Sequence, residues 1–257
     1  MYLIPFKPCS LCKDSSSQPG FLKIEDQGSI LLKECECHKK WYENSKRLMS
    51  AYRSNFIISK DSLEYDLIKS HKGSKDLKKL EILNKYVIEF SEGGNKELCI
   101  YLLGNSNTQK TTIAQWIGLT LIRNGFTCYY ESMHNFITRL VPTDFNDPER
   151  FKIYHDKLLS CDLLIIDDAF DRWKSNISSF QLPYMEAFFR ERIERHQKGI
   201  LWVSCVSPYD IKKYLSSESL QNFVVKILTK SKGLVKLVDS MEHIDVSTIF
   251  DPIGGDA

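Results

Sequence analysis

The 257-residue sequence lacks several features that would have narrowed its role at once. It carries no strong charge of either sign, and a formal net charge of +2 is too small to select a class of partner. It has no apolar run of membrane-spanning length, and its opening MYLIPFKPCS lacks the basic start and long apolar core of a secretory leader. These absences predict a cytoplasmic protein with no membrane partner. Internal repeats and low-complexity tracts are missing too, which argues against a repeat architecture. What is present, 12% aromatic and 26% charged residues, fits a folded soluble chain rather than a disordered one. The length allows one large domain, or a large one with a small companion.

Cysteine, by contrast, is plentiful and unevenly placed. Four of the eight fall within the first 37 residues, whereas Cys99, Cys128, Cys161 and Cys205 sit in apolar runs and read as buried thiols. Cys9, Cys12, Cys35 and Cys37 form two close pairs. Four thiolates suit tetrahedral Zn2+, and a cytosolic chain has little reason to oxidise them; unliganded thiols are the alternative. The C-x-C half is tight, so His38 stands as a substitute for one sulfur. Residues 1–40 therefore read as a zinc-binding module of low helical periodicity, with Gly20 and Gly28 serving its turns.

Residues 41–85 read as a helical linker with a break near Gly73. KKWYENSKRLMSAYR carries Lys39, Lys40, Lys46, Arg47 and Arg53 beside Trp41, Tyr42 and Tyr52. Cations with aromatics suit single-stranded nucleic acid, and a helix with one solvated and one packed face explains them equally well. From residue 98 onward, short apolar strands alternate with helices. LCIYLLG, FTCYY, CDLLIIDD, ILWVSCV and GLVKLV are the strands, and KTTIAQWIGLTLIRNG, MHNFITRLV, RFKIYHDKLLS, QLPYMEAFFRERIERHQKG, SPYDIKKYL and LQNFVVKIL the helices. This alternation predicts an α/β domain over 86–257 with a parallel sheet covered by helices on both faces.

Between the first strand and its helix lies GNSNTQKTT, residues 104–112. Strand, G-x4-x-K-T and helix are the layout of a P-loop, whose backbone N–H groups and helix N-terminus hold phosphate oxygens. Gly104, Lys110 and Thr111 keep the spacing, with Asn105, Asn107, Gln109 and Thr112 completing the loop. Lys110 would meet the outer phosphates and the Thr111 hydroxyl would bind Mg2+. LLIIDD offers Asp167 as a magnesium carboxylate at the tip of a strand expected next to the P-loop strand, and Asp168 as the base that orients water. A plain strand-end turn is the other reading of the two acids. The loop lacks two glycines. Asparagine tolerates positive φ, so Asn107 can keep the bend, whereas Gln109 has no such excuse.

GNSNTQKTTIA, CDLLIIDDAFD, FFRERIERHQKG, WVSCVSPYDI, FVVKIL and GLVKLV, taken in order, resemble the AAA+ helicase loaders of the DnaC/DnaI type and their IstB-type relatives. The N-terminal C-x2-C and C-x-C-H-K-K resemble the zinc module on many bacterial and phage loaders. The resemblance implies a P-loop fold of the AAA+/ASCE class, binding ATP/ADP. It further implies a replicative hexameric helicase and single-stranded DNA as partners, assembly as a homo-oligomer, and the host cytoplasm if phage-encoded. It places Cys205 where the family has a sensor asparagine and Lys226 where it has an arginine finger. Cysteine is a poor hydrogen-bonding substitute, and lysine lacks the planar fork. Slow ATP hydrolysis follows. Lys226, Lys230, Lys232 and Lys236 also fit an ordinary surface, and Arg190, Arg192 and Arg195 fit either subunit contact or pairing with Glu191 and Glu194. Other functions compatible with the same residues are an IstB-like transposition helper and an adaptor that kept the fold and lost its nucleotide.

Overall fold

The computed structural model describes residues 6–14, 18–26, 29–57, 60–92, 99–106, 108–140, 148–170, 181–207, 210, 222 and 233–236. Asn107, Lys226, Lys230 and Lys232 lie outside them, as do nearly all of SPYDIKKYL and LQNFVVKIL. The chain divides into two compact units, Met1–Arg53 and Ser54–Ala257. Among the described residues no helix is long and apolar enough to cross a membrane.

The first unit begins with a turn in which the Cys12 and Lys13 amides donate to the Cys9 carbonyl. An antiparallel hairpin follows, β1 (Phe21–Asp26) and β2 (Ser29–Glu34), with Phe21 opposite Glu34 and Asp26 opposite Ser29. The low helical periodicity of this stretch reflects that hairpin. Helix α1 (Glu36–Tyr52) closes the unit, burying Ser45, Leu48 and Ala51 along one face. His38 sits at the centre of an aromatic group, its ring centroid 5.2 Å from Phe6, 5.1 Å from Phe21 and 5.3 Å from Trp41. Gly20 is required beside it: φ is +94°, and a Cβ there would lie 2.7 Å from His38 Cδ2.

In the second unit, helices α2 (Lys60–Glu64), α3 (Leu67–Ser70) and α4 (Leu77–Ser91) precede the sheet. Asp66 caps α3, accepting from the Ile68 and Lys69 amides. The expected break falls at Gly73, with φ +86°. Then come β3 (Cys99–Leu103), α5 (Lys110–Arg123), β4 (Cys128–Ser132), α6 (Met133–Leu140), α7 (Pro148–Ser160) and β5 (Leu163–Asp167). Helix α8 (Gln181–Arg190), a π-helical turn over Glu191–Arg195, β6 (Gly199–Ser204) and β7 (Gly233–Lys236) complete it. All five strands of the sheet are parallel, in the order β4-β5-β6-β3-β7.

The order corrects one expectation. β5 does not lie next to the P-loop strand β3, because β6 is inserted between them. Strand tips can still converge on one site across that insertion, since all five carboxyl ends share an edge.

Every residue of β5 and β6 is buried, which explains why both read as unbroken apolar runs. Alternate residues serve opposite faces. Leu164 and Ile166 join Tyr101, Phe136, Phe188, Phe189 and Trp202 in the core beneath α6, α7 and α8. Ile165 faces α5 instead, its Cδ1 meeting the helix at Gly118. Strand β4 is an edge of the sheet, and the segment Ser54–Ile57 runs along it: the Tyr130 amide donates to the Ser54 carbonyl at 3.0 Å. Phe56 turns from this segment under α5 and lies against Gly118 and Tyr130.

Arg192, one of three arginines open to a subunit-contact reading, is fully buried. Its guanidinium donates to the carbonyls of Leu159 (3.1 Å), Cys161 (2.9 Å) and Gly199 (2.7 Å), binding the end of α7 to the start of β6. Arg190 and Arg195 pair along their own helix with Glu186 and Glu191.

A Cβ on Gly118 would stand 2.2 Å from Phe56 Cε1 and 2.4 Å from Cζ. Gly118→Ala should therefore cost about 1–3 kcal/mol through overpacking, read as a lower urea midpoint at unchanged slope.

Candidate functional site

The carboxyl edge of the sheet gathers the phosphate-loop residues and the paired acids. β3 ends at Leu103, and the Gly104 amide donates to the Ser204 carbonyl at 3.2 Å. The loop then folds on Asn105, whose carbonyl accepts from the Thr108 hydroxyl at 2.9 Å and the Lys110 ammonium at 2.7 Å. Lys110 begins α5, and Thr111 and Thr112 follow in its exposed first turn. The first turn of a helix leaves amide donors unpaired within the helix, so loop and helix together form an anion-binding end.

Gln109 holds the position immediately before the lysine, with φ 59° and ψ 21° in the left-handed region. This is the conformation for which glycine is ordinarily chosen, and a residue with a Cβ pays roughly 1–2 kcal/mol to adopt it. The side chain is exposed, so it does not fill the bend from inside. At this position the missing glycine is expressed as strain.

Asp167 ends β5 and is buried. One carboxylate oxygen accepts from the Asp168 amide at 2.8 Å and the other from the Tyr130 hydroxyl. Asp168 is exposed, with φ 53°, a value aspartate tolerates better than most residues. Phe170 also has positive φ, held there by stacking on Trp202 at 5.5 Å. Ser204 joins the two halves of the edge. Its carbonyl holds Gly104, its hydroxyl donates to the Ala169 carbonyl, and that hydroxyl accepts from the Val206 amide at 3.0 Å. Sequence reasoning passed over Ser204 and chose its neighbour Cys205. Cys205 is exposed beyond the end of β6, which corrects its reading as a buried thiol, while Cys128 and Cys161 are buried as expected.

Asp167 at the end of β5 and Thr111 in the first turn of α5 both lie at the carboxyl edge of the sheet and offer oxygen donors, the donor chemistry that suits Mg2+. Each Asp167 oxygen accepts one hydrogen bond and retains lone-pair capacity for a hydrated ion. The residues present therefore fit the ion.

In the first unit, the sulfurs of Cys9, Cys12, Cys35 and Cys37 all lie within 4.8 Å of one another. The pairs Cys9–Cys12 and Cys9–Cys35 stand 3.7 Å apart and Cys12–Cys37 3.4 Å. Zinc–sulfur bonds of about 2.3 Å in a tetrahedron require sulfur separations of about 3.8 Å, so the cluster has the right size for the metal. The amides of Cys12 and Leu11 lower the Cys9 thiol, whereas Cys37 in the same cluster is pushed up by burial and the neighbouring thiols, so the four sulfurs do not ionise alike. Cys35 caps α1 and Cys37 lies in its first turn, so the tight C-x-C spacing is a helix start. His38 is not in the cluster; its Nδ1 bonds Glu34 Oε1 at 2.6 Å.

On α1, Lys39, Lys40, Lys46, Arg47 and Arg53 are exposed together with Tyr42 and Tyr52, whereas Trp41 packs on Phe6 and His38. The helix thus has both a packed aromatic and an exposed basic, aromatic face.

Together these features define an α/β domain with a five-stranded parallel sheet and a P-loop-like strand, loop and helix, preceded in the chain by a four-cysteine unit. No protein-family model and no curated protein matches the sequence. Solved structures do match the fold. The crystal structure of DnaI superimposes with a TM-score of 0.54 at 13% identity, covering 71% of this chain and 95% of that one. The DnaC helicase loader gives a TM-score of 0.51 at 18% identity, covering 70% and 99%. AMPPCP-bound DnaA from Aquifex aeolicus gives 0.47 at 18% identity over 61% of this chain, which spans 45% of that protein's length. The chain has the fold of DnaC/DnaI-type AAA+ proteins.

Gln109→Gly should relieve the left-handed strain. Offsetting the higher chain entropy of glycine leaves a net stabilisation of about 0.5–1 kcal/mol, measurable as a higher urea midpoint. An unchanged or lower midpoint would show that the glutamine is accommodated without cost.

Proposed function

We propose that this protein is an ATP-binding helicase loader, which engages a replicative hexameric helicase and assists its placement on single-stranded DNA. The observation that carries the proposal is the combination of a DnaI- and DnaC-like fold with Lys110 and Asp167 brought to one edge of its sheet. In this reading Gly104, Asn105, Asn107, Gln109 and Thr112 belong to the loop around the phosphates. Lys110 contacts the outer phosphates, exchanging or sharing its bond to the Asn105 carbonyl. Thr111 and Asp167 hold Mg2+, which when bound neutralises charge on the phosphate oxygens. Asp168, exposed at the strand tip, orients water.

Turnover is slow in this proposal. Gln109 strains the loop and brings a side chain to its mouth, Cys205 replaces a sensor amide with a weak hydrogen-bonding thiol, and Lys226 replaces a forked guanidinium. ATP then acts mainly as a conformational switch within a homo-oligomer. The four cysteines hold zinc as a structural ion, because four protein ligands leave no open coordination position. The zinc unit docks on the helicase, and the exposed lysines, arginines and tyrosines of α1 provide cations and stacking surfaces for single-stranded DNA.

Titration calorimetry with ATP and MgCl2 tests the switch. Binding at millimolar nucleotide or tighter is expected, with Lys110→Ala weakening it roughly 10–100-fold, the worth of a charge-assisted hydrogen bond. An absence of binding would sink the nucleotide reading in favour of a nucleotide-free adaptor. Metal analysis of protein purified without added zinc should find about one zinc per chain, lost in Cys35→Ser. Copurification with a hexameric helicase, compared with and without ATP, tests the loader role.

A further inference from the structure

The side chain that donates to the Asp167 carboxylate, Tyr130, belongs to no phosphate-site motif. Tyr130 lies on edge strand β4, opposite Ile165, while Ser132 is opposite Asp167. Side chains two residues apart share a face of the sheet, so Tyr130 and Asp167 are diagonal neighbours on the α5 side. Tyr130 starts one pleat repeat, about 7 Å, deeper than Asp167. Its hydroxyl therefore reaches the carboxylate from the amino-terminal side, on the face of the sheet that α5 covers.

The tyrosine has little room to move. Its amide is bonded to the Ser54 carbonyl at 3.0 Å, and its ring packs on Phe56 at 5.9 Å between centroids. The same segment is pinned further by the Ile57 amide, which donates to Gln115 Oε1 on α5 at 3.2 Å. The tyrosine hydroxyl has one proton to donate, and it is directed to Asp167 Oδ2.

We infer that Tyr130 is a positioning residue for magnesium: its hydroxyl fixes the orientation of Asp167 so that the carboxylate presents a lone pair to the ion. The inference rests on the nucleotide reading of the preceding section. Hydrogen-bond partners of metal-binding carboxylates set ligand direction and basicity, and their loss typically costs 10–100-fold in metal affinity.

Tyr130→Phe tests it, because the variant keeps the ring against Phe56 and removes only the hydroxyl. ATP affinity is measured by calorimetry in EDTA and across a MgCl2 titration. The expected result is an unchanged affinity in EDTA and a MgCl2 half-saturation raised about tenfold. In an Asp167→Asn background the same change should have no further effect on magnesium dependence. A drop in ATP affinity of equal size with and without magnesium, or an effect that persists in Asp167→Asn, would overturn positioning and make Tyr130 a packing residue. Wild-type binding with magnesium dependence that Tyr130→Phe leaves unchanged would overturn the inference alone. Wild-type protein that binds no ATP would overturn the nucleotide reading and this inference with it. A thermal melt of the variant separates misfolding from loss of the ion: should Tyr130→Phe not fold, Tyr130→Leu, which also lacks a donor, is expected to raise the MgCl2 half-saturation likewise, and wild-type dependence there would overturn the inference.

Discussion

The candidate site depends on Ser204. This buried residue ends β6, the strand inserted between the two halves of the site, and it bonds to both of them. Its carbonyl takes the Gly104 amide and its hydroxyl donates to the Ala169 carbonyl. A buried polar group left unpaired costs on the order of 1–3 kcal/mol, so the phosphate loop and the Asp167 turn are held in register by the need to satisfy one side chain and its backbone. Packing on both faces of the sheet keeps water away from those bonds, which strengthens them.

Around that junction the loop accepts unfavourable backbone geometry. Gln109, Asp168 and Phe170 all have positive φ, and none is glycine. Strain of this kind persists only where neighbouring contacts over-determine it. Phe170 shows how, stacked on Trp202 and aligned with Tyr101 at 6.4 Å. Gln109 is different, because its exposed side chain gains nothing from burial, and the bend is held by the helix start behind it and by the bonds of Thr108 and Lys110 to the Asn105 carbonyl. The departure from glycine at 109 thus bears on how easily phosphate oxygens approach the backbone.

Much of the fold was legible in the chain. β5 and β6 showed as apolar runs because both their faces are covered, and α5 showed by its period and by Gly125, whose φ of +94° ends it. The β1–β2 hairpin did not show, since its exposed Ile30, Leu31 and Leu32 break the expected alternation of apolar and polar residues. Arg192 read as a subunit contact or a partner of Glu191 and Glu194 because arginine is seldom buried, and the carbonyl ends that surround it are what allow its burial. His38 was a reasonable metal ligand by position, yet the aromatic rings and Glu34 had already claimed it.

Local sequence determined what depends on neighbours in the chain: the phosphate-loop spacing of Gly104, Lys110 and Thr111, the acids at a strand end, the two cysteine pairs, and the alternation of strand and helix. Tertiary structure decided what depends on strand order and register. It inserted β6 between β3 and β5, made Ser204 the junction, and set Tyr130 diagonally across from Asp167. The reason is physical: hydrogen bonds between parallel strands join residues distant in sequence, and no local periodicity records which strand will be the neighbour.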